Sequence, residues 1–127
     1  MFELEGIDHV ALAVRDVGSS AQWFVEVLGF EHWHKGMWNG LPTFVGRGKT
    51  ALALFPASEN ARPPSDRADH IGMVHLAFRA AGAEFGKAQR ELKARGISFH
   101  FQDHEIAHSI YFHDPDGNEL EITTYDV

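Results

Sequence analysis

Apolar residues along this chain alternate between two periods, and the alternation happens twice. From residue 6 to 14 the chain is apolar apart from Asp8 and His9, the pattern of a buried strand. Ala21, Trp23, Phe24, Val27 and Leu28 then recur at helical spacing, behind a polar start at Asp16 to Ser20 and ahead of Gly29, which suits a helix C-terminus. Three shorter strands are predicted over 30–35, 42–46 and 50–55. The second half repeats this order with a strand over 73–79, a helix over 83–95, and strands over 97–102, 109–113 and 119–124. Asp114-Pro115-Asp116-Gly117-Asn118 predicts a tight turn before the last strand, since it combines a fixed φ, side-chain acceptors and a residue free to take positive φ.

The two halves also match residue by residue. Ile7-Asp8-His9-Val10-Ala11-Leu12 returns as Met73-Val74-His75-Leu76-Ala77-Phe78, and the Gly-apolar pair Gly29-Phe30 returns as Gly96-Ile97. Such self-similarity means two copies of one supersecondary unit. The expectation is an α+β chain forming a single domain over 1–127. It comprises a first βαβββ module over 5–56, a connector over 57–68 that Pro63-Pro64 keeps from being helix or central strand, and a second βαβββ module over 69–127. Four strands per module can curl into half a barrel, and two halves enclose a cleft.

Composition narrows the chemistry. The chain has 127 residues, 44% of them hydrophobic, with 10 Phe and 3 Trp, enough for a packed core and an aromatic-lined cavity. Cysteine is absent, which excludes disulfides, thiolate zinc sites and thiol nucleophiles, so any metal is held by His and carboxylate. A net charge of -7 argues against a nucleic-acid partner. No signal-like segment opens the chain and no apolar run nears the ~18 residues of a membrane span. The expectation is therefore a cytoplasmic protein without a membrane partner, acting on a small molecule.

Two histidines in register across a repeat can converge as metal ligands, and strand alternation places Glu119 and Glu121 on one face of the closing strand. With one of those glutamates turned inward, His9 and His75 complete the composition of a two-histidine, one-carboxylate site with open positions on the metal. The other histidines, His32, His34, His70, His100 and His104, suit surface positions better than ligand positions. Trp23, Trp33, Trp38 and Phe44 could wall a substrate ring, although core or interface packing is the commoner use of such residues.

The doubled module, its "DHVALAV" and "VHLAF" starts, and above all "SIYFHDPDGNELEI" resemble the vicinal oxygen chelate superfamily of glyoxalases, fosfomycin- and bleomycin-resistance proteins and extradiol dioxygenases. The resemblance covers essentially the whole chain. It implies an incompletely closed eight-stranded barrel around a divalent metal, and a homodimer in which His9 of one subunit meets His75 and Glu121 of the other. It implies His9, His75 and Glu121 as the ligands, leaving Glu119 as the solvated neighbour.

Within that superfamily the residues discriminate. Glyoxalase I-like enzymes carry a further glutamate where matching "TALALF" to "NELEIT" places Ala53. Fosfomycin-modifying relatives surround the metal with cations, whereas 99–109 contains no Lys or Arg and Ala11 stands where they carry a hydroxyl. Extradiol dioxygenases are the most similar, through His104, Ile110-Tyr111, Asp114-Pro115-Asp116-Gly117 and Glu121, although Gln102 departs from their pattern and most are about twice as long. That resemblance implies Tyr111 as a hydrogen-bond partner of a substrate oxygen and His104 or His108 as acid or base. It favours Fe(II) or Mn(II) over Zn(II), Ni(II) or Co(II). The expected function is a divalent-metal-dependent oxidoreductase of extradiol-dioxygenase type acting on a small aromatic or vicinal-oxygen substrate. The alternatives are a glyoxalase-like lyase or isomerase and a metal-free ligand-sequestering protein of bleomycin-resistance type.

Overall fold

A computed structural model describes residues 1–64 and 71–127. The chain divides into two compact units, Met1–Arg62 and Pro63–Val127, with the division inside the expected connector. His70 and the last residues of that connector lie outside the described residues. No helix is long and apolar enough to cross a membrane, among the residues described.

The first unit runs β1 (Val10–Val14), α1 (Val17–Leu28), β2 (Glu31–Trp33), a short 3₁₀ turn (Met37–Gly40), β3 (Thr43–Arg47) and β4 (Thr50–Pro56). The second runs β5 (Leu76–Arg79), α2 (Gly82–Ala94), β6 (His100–Asp103), β7 (His108–His113) and β8 (Glu119–Thr124). Each unit is therefore βαβββ, and each forms one four-stranded sheet, ordered β1-β4-β3-β2 and β5-β8-β7-β6. In both, the first strand runs parallel to the last and the remaining pairs are antiparallel.

The repeat extends to the register. Val10 pairs with Leu52 as Leu76 pairs with Leu120, and Phe44 pairs with Ala53 as Tyr111 pairs with Glu121. Ala53 thus occupies the structural counterpart of Glu121, as the sequence matching expects. Parallel pairing is what a helical crossover allows, and the helix then covers one sheet face. Phe24 of α1 stacks on Phe30, both buried, over a face whose Val14, Val45, Leu52 and Leu54 are inaccessible to solvent. In the second unit Phe85 and Leu92 are the buried residues of α2, and the buried strand residues on the helix-facing side are Ile110, Phe112, Leu120 and Ile122.

Both helix starts use a carboxylate, by different routes. Asp16 accepts from the Ser19 backbone N–H at 2.8 Å, and that bond holds its carboxyl below the usual range. Ala81 has no side chain able to cap, and Asp126 from the C-terminal segment accepts from the Gly82 N–H instead, at 2.8 Å. Gly29 closes α1 at φ 69°, its expected left-handed role.

Several strands are shorter than expected. The first begins at Val10 rather than residue 6, with Ile7 80% exposed, and β5 begins at Leu76 rather than Met73. His9 and His75 therefore stand immediately before their strands. An apolar run is a necessary sign of a buried strand, but a strand also needs a hydrogen-bonded neighbour, and β4 and β8 extend no pairing past Val10 and Leu76. Likewise β2 stops at Trp33 rather than residue 35, because His34 turns to φ 54°.

Candidate active site

The face of the second sheet turned away from α2 carries polar groups, because apolar residues take the alternate positions under the helix. On β7 the residues of that face are Ser109, Tyr111 and His113, on β8 Glu119, Glu121 and Thr123, and on β6 His100 and Gln102. His75 leads into β5 beside them. Its Nε2 lies 2.9 Å from Glu121 Oε1, and Ser109 Oγ donates to Glu121 Oε2 at 2.7 Å. Ser109 also lies 3.0 Å from Thr123 Oγ1, which donates to the His108 carbonyl. Glu121 is buried, and each of its oxygens has a side-chain partner.

Tyr111 stands directly opposite Glu121 across the β7–β8 pair, with its ring 5.7 Å from that of His75. Its hydroxyl is 2.9 Å from His104 Nε2. Burial raises the Tyr111 phenol above its ordinary value, and the Glu121 and Glu119 carboxylates push the same way. The phenol therefore keeps its proton near neutrality and can donate it. His104 reaches Tyr111 from a tight turn in which its own N–H bonds the Ala107 carbonyl and Glu105 takes φ 70°.

Four of the expected site residues are thus brought together: His75, Glu121, Tyr111 and His104. His108 is not. It lies on the opposite, helix-facing side of β7, 3.5 Å from Asp103 Oδ1 and with its ring 5.2 Å from Phe101. Strand alternation alone separates it from Tyr111, three positions away. Glu119 is not simply solvated either, since it is half-buried beside an open cavity of about 290 Å³ with His100, Gln102, Tyr111 and His113.

The β7–β8 turn explains why Glu121 arrives opposite Tyr111. Asp114, 4% exposed, accepts from the backbone N–H groups of Asp116 and Asn118 through Oδ1 and from the Asn118 side chain through Oδ2. The motif's first aspartate is a clamp that fixes hairpin register, and a one-residue slip would turn Glu121 into the core. Asp114→Ala is expected to lower stability by about 2–4 kcal/mol, since it removes hydrogen bonds to a buried charged acceptor. Thermal unfolding checks this, and Asp116→Ala, whose side chain makes none of those bonds, is the control.

In the first unit the corresponding face is aromatic. His9 lies 2.7 Å from Asp8 Oδ2 through Nδ1 and sets its ring 5.2 Å from Phe44. Phe44, the counterpart of Tyr111, also meets His34 at 5.1 Å and Trp38 at 5.5 Å. Trp33 lies over the β3 backbone, where a Cβ on Gly46 would come within 2.8 Å of its ring. Trp38 and Asn39 both take positive φ, an unfavourable backbone for a residue as bulky as tryptophan, yet Trp38 remains 51% exposed. Trp23 instead packs on Phe24 along α1.

The side chains of the second unit fit part of a metal site. Two ligands about 2.1 Å from an ion at right angles to each other stand about 3.0 Å apart, and the His75–Glu121 separation of 2.9 Å matches. Within this unit no third His, Asp or Glu among the described residues joins them. Sequence reasoning missed Ser109 and the cavity residues His100, Gln102 and His113. Alternation along β7 was the signal that would have placed Ser109 and His113 on the face of Tyr111.

A two-module fold with a histidine–carboxylate pair on one sheet defines a class that sequence comparison makes specific. The family model described as Glyoxalase/Bleomycin resistance protein/Dioxygenase superfamily matches residues 6–122, and the chain belongs to that superfamily. It is 27% identical over 122 residues to a glutathione transferase FosA of Serratia marcescens, covering 94% of this chain and 80% of that protein. It is also 27% identical over 117 residues to a catechol-2,3-dioxygenase of Bacillus subtilis (strain 168), covering 91% of this chain but only 40% of that protein. In fold it is similar to a glyoxalase/dioxygenase of Nostoc punctiforme, with a TM-score of 0.79 at 24% identity over 95% of this chain and 91% of that one.

Proposed function

We propose that the protein is a divalent-metal-dependent enzyme that opens the ring of a small aromatic vicinal diol with dioxygen. The observation that carries this reading is the juxtaposition of two pairs on one sheet face. His75 and Glu121 form an anchored nitrogen–carboxylate pair, and Tyr111 and His104 form a proton-handling pair beside it. His9 is the third ligand in this proposal, and a homodimer is the proposed assembly. Two imidazoles and one carboxylate favour Fe(II) or Mn(II), with open positions for the substrate.

When bound, the ion supplies Lewis acidity that lowers the pKa of coordinated hydroxyls. The remaining work falls to side chains. Ser109 fixes the Glu121 carboxylate so that Oε1 stays turned toward His75. Tyr111, protonated near neutrality, donates a hydrogen bond to a substrate oxygen and relays a proton to or from His104 Nε2. His104 is exposed, so it can exchange that proton with solvent. Both atoms of dioxygen enter the product, so no external reductant is required. Phe44, Trp33 and Trp38 of the first unit form an aromatic face of the kind that packs on a planar ring.

The test is elemental analysis of protein purified anaerobically without a metal-affinity tag, followed by oxygen uptake with catechols. The expected result is about one redox-active ion per chain and uptake stoichiometric with ring opening, with kcat reduced about 10²-fold in Tyr111→Phe and KM little changed. A protein that neither contains nor takes up a divalent ion, yet still binds aromatic ligands, would overturn the enzyme reading in favour of sequestration.

A further inference from the structure

The cavity on the face of the second sheet turned away from α2 shares Tyr111 with the proposed catalytic pair, so a ligand filling it also meets the Tyr111 ring. Its other lining residues are His100 and Gln102 of β6, His113 of β7 and Glu119 of β8. None is aliphatic, and none is Lys or Arg. His113 and Glu119 are directly opposed across β7 and β8, and His100 is directly opposed to Tyr111, so the lining is set by sheet register rather than by a loop. The lining side chains present more carbon than polar surface to this cavity of about 290 Å³, so it accommodates a short hydrocarbon spacer and the polar end of a substituent is what discriminates.

Charge narrows the occupant further. The carboxylate of Glu119 is the one side chain of full formal charge in the lining. A substrate carboxylate placed there would be repelled by Glu119, whereas an amine or hydroxyl would find an acceptor in Glu119 and another in Gln102. Like charges brought close repel and opposite charges attract by comparable amounts, so one carboxylate shifts the preference for cation over anion twice.

We propose that this cavity is a substituent subsite selecting substrates that carry an ammonium or hydroxyl group over those that carry a carboxylate, with Glu119 as the specificity-determining residue. The proposal rests on the reading of the adjoining site as the place where the reacting ring binds.

The experiment measures, by calorimetry at pH 8, the binding of 4-(2-aminoethyl)catechol and of 3,4-dihydroxyphenylacetate to metal-loaded wild type and Glu119→Gln. Wild type is expected to favour the amine about tenfold, equivalent to about 1.4 kcal/mol. Glu119→Gln is expected to bring the two within about twofold while keeping its metal content. Equal binding of the two by wild type, or a ratio unchanged in Glu119→Gln, overturns the proposal. The same comparison on metal-stripped protein uses 4-(2-aminoethyl)phenol and 4-hydroxyphenylacetate, which lack the second hydroxyl. A protein without bindable metal that still shows the Glu119-dependent ratio would sink the enzyme reading alone. Bound metal with a ratio indifferent to Glu119 would sink the subsite alone.

Discussion

Glu121→Ala is expected to abolish stoichiometric metal binding and with it any oxygen uptake, while the variant keeps its far-UV circular dichroism. The carboxylate supplies one of the donors in a pair that is already at ligand spacing, with Oε1 2.9 Å from His75 Nε2. Its second oxygen accepts from Ser109, which holds the first in place. Loss of a hydrogen bond that merely orients a ligand typically costs 10- to 100-fold in metal affinity, and loss of the ligand itself is expected to exceed about 100-fold. Ser109→Ala should fall within that smaller range, because Glu121 remains but can rotate. Equilibrium dialysis of the purified variants followed by elemental analysis reads both. Retention of one ion per chain in Glu121→Ala would remove Glu121 from the ligand set, and an equal loss in both variants would show that orientation matters as much as the donor.

Phe112→Ala is expected to destabilise the protein by about 3–5 kcal/mol, a large share of the ~5–15 kcal/mol that typically holds a domain together. Phe112 is 1% exposed on the covered face of β7, opposite Leu120 of β8, so truncation leaves a void that the β7–β8 pair cannot close without shifting Glu121 relative to Tyr111. Urea unfolding should show a lower midpoint with an unchanged m-value. Phe101→Ala, at a residue 45% exposed on the neighbouring strand, should cost less than about 1 kcal/mol by the same measure. Equal losses at the two positions would mean that the helix-covered layer is not where this unit stores its stability.

The repeat was legible because it is written in residue types that serve the same physical purpose in both copies. Apolar residues at strand and helix periods, Gly29 at a left-handed helix end and the Asp114–Asn118 turn all act over a few residues, and each is found where it was expected. The element ends were less legible. Met73 and Val74 look like the start of a strand by pattern, yet β8 offers no partner beyond Leu120, so they stay outside the sheet and exposed.

The site divides in the same way. The residue types His75, Glu121, Tyr111 and His104 could be read from the sequence and its resemblance, and so could the departure at Ala53. The failure of His108 to join Tyr111 follows from alternation along β7, a local rule that the sequence already contained. The cavity with Glu119 and His100 could not be read locally, because those residues lie on different strands and meet only through the pairing of β6, β7 and β8.

By itself, then, the sequence determined the two βαβββ copies and the absence of thiol chemistry, which depend on residue type and short spacing, while the choice of Glu121 over Glu119 as candidate ligand came from the family resemblance. Only the tertiary structure decided which carboxylate oxygen faces which nitrogen and that Ser109 anchors it. It also decided that one sheet face is aromatic while its counterpart is polar. Those features depend on register between strands distant in sequence, where one residue of slip exchanges the two faces of a sheet.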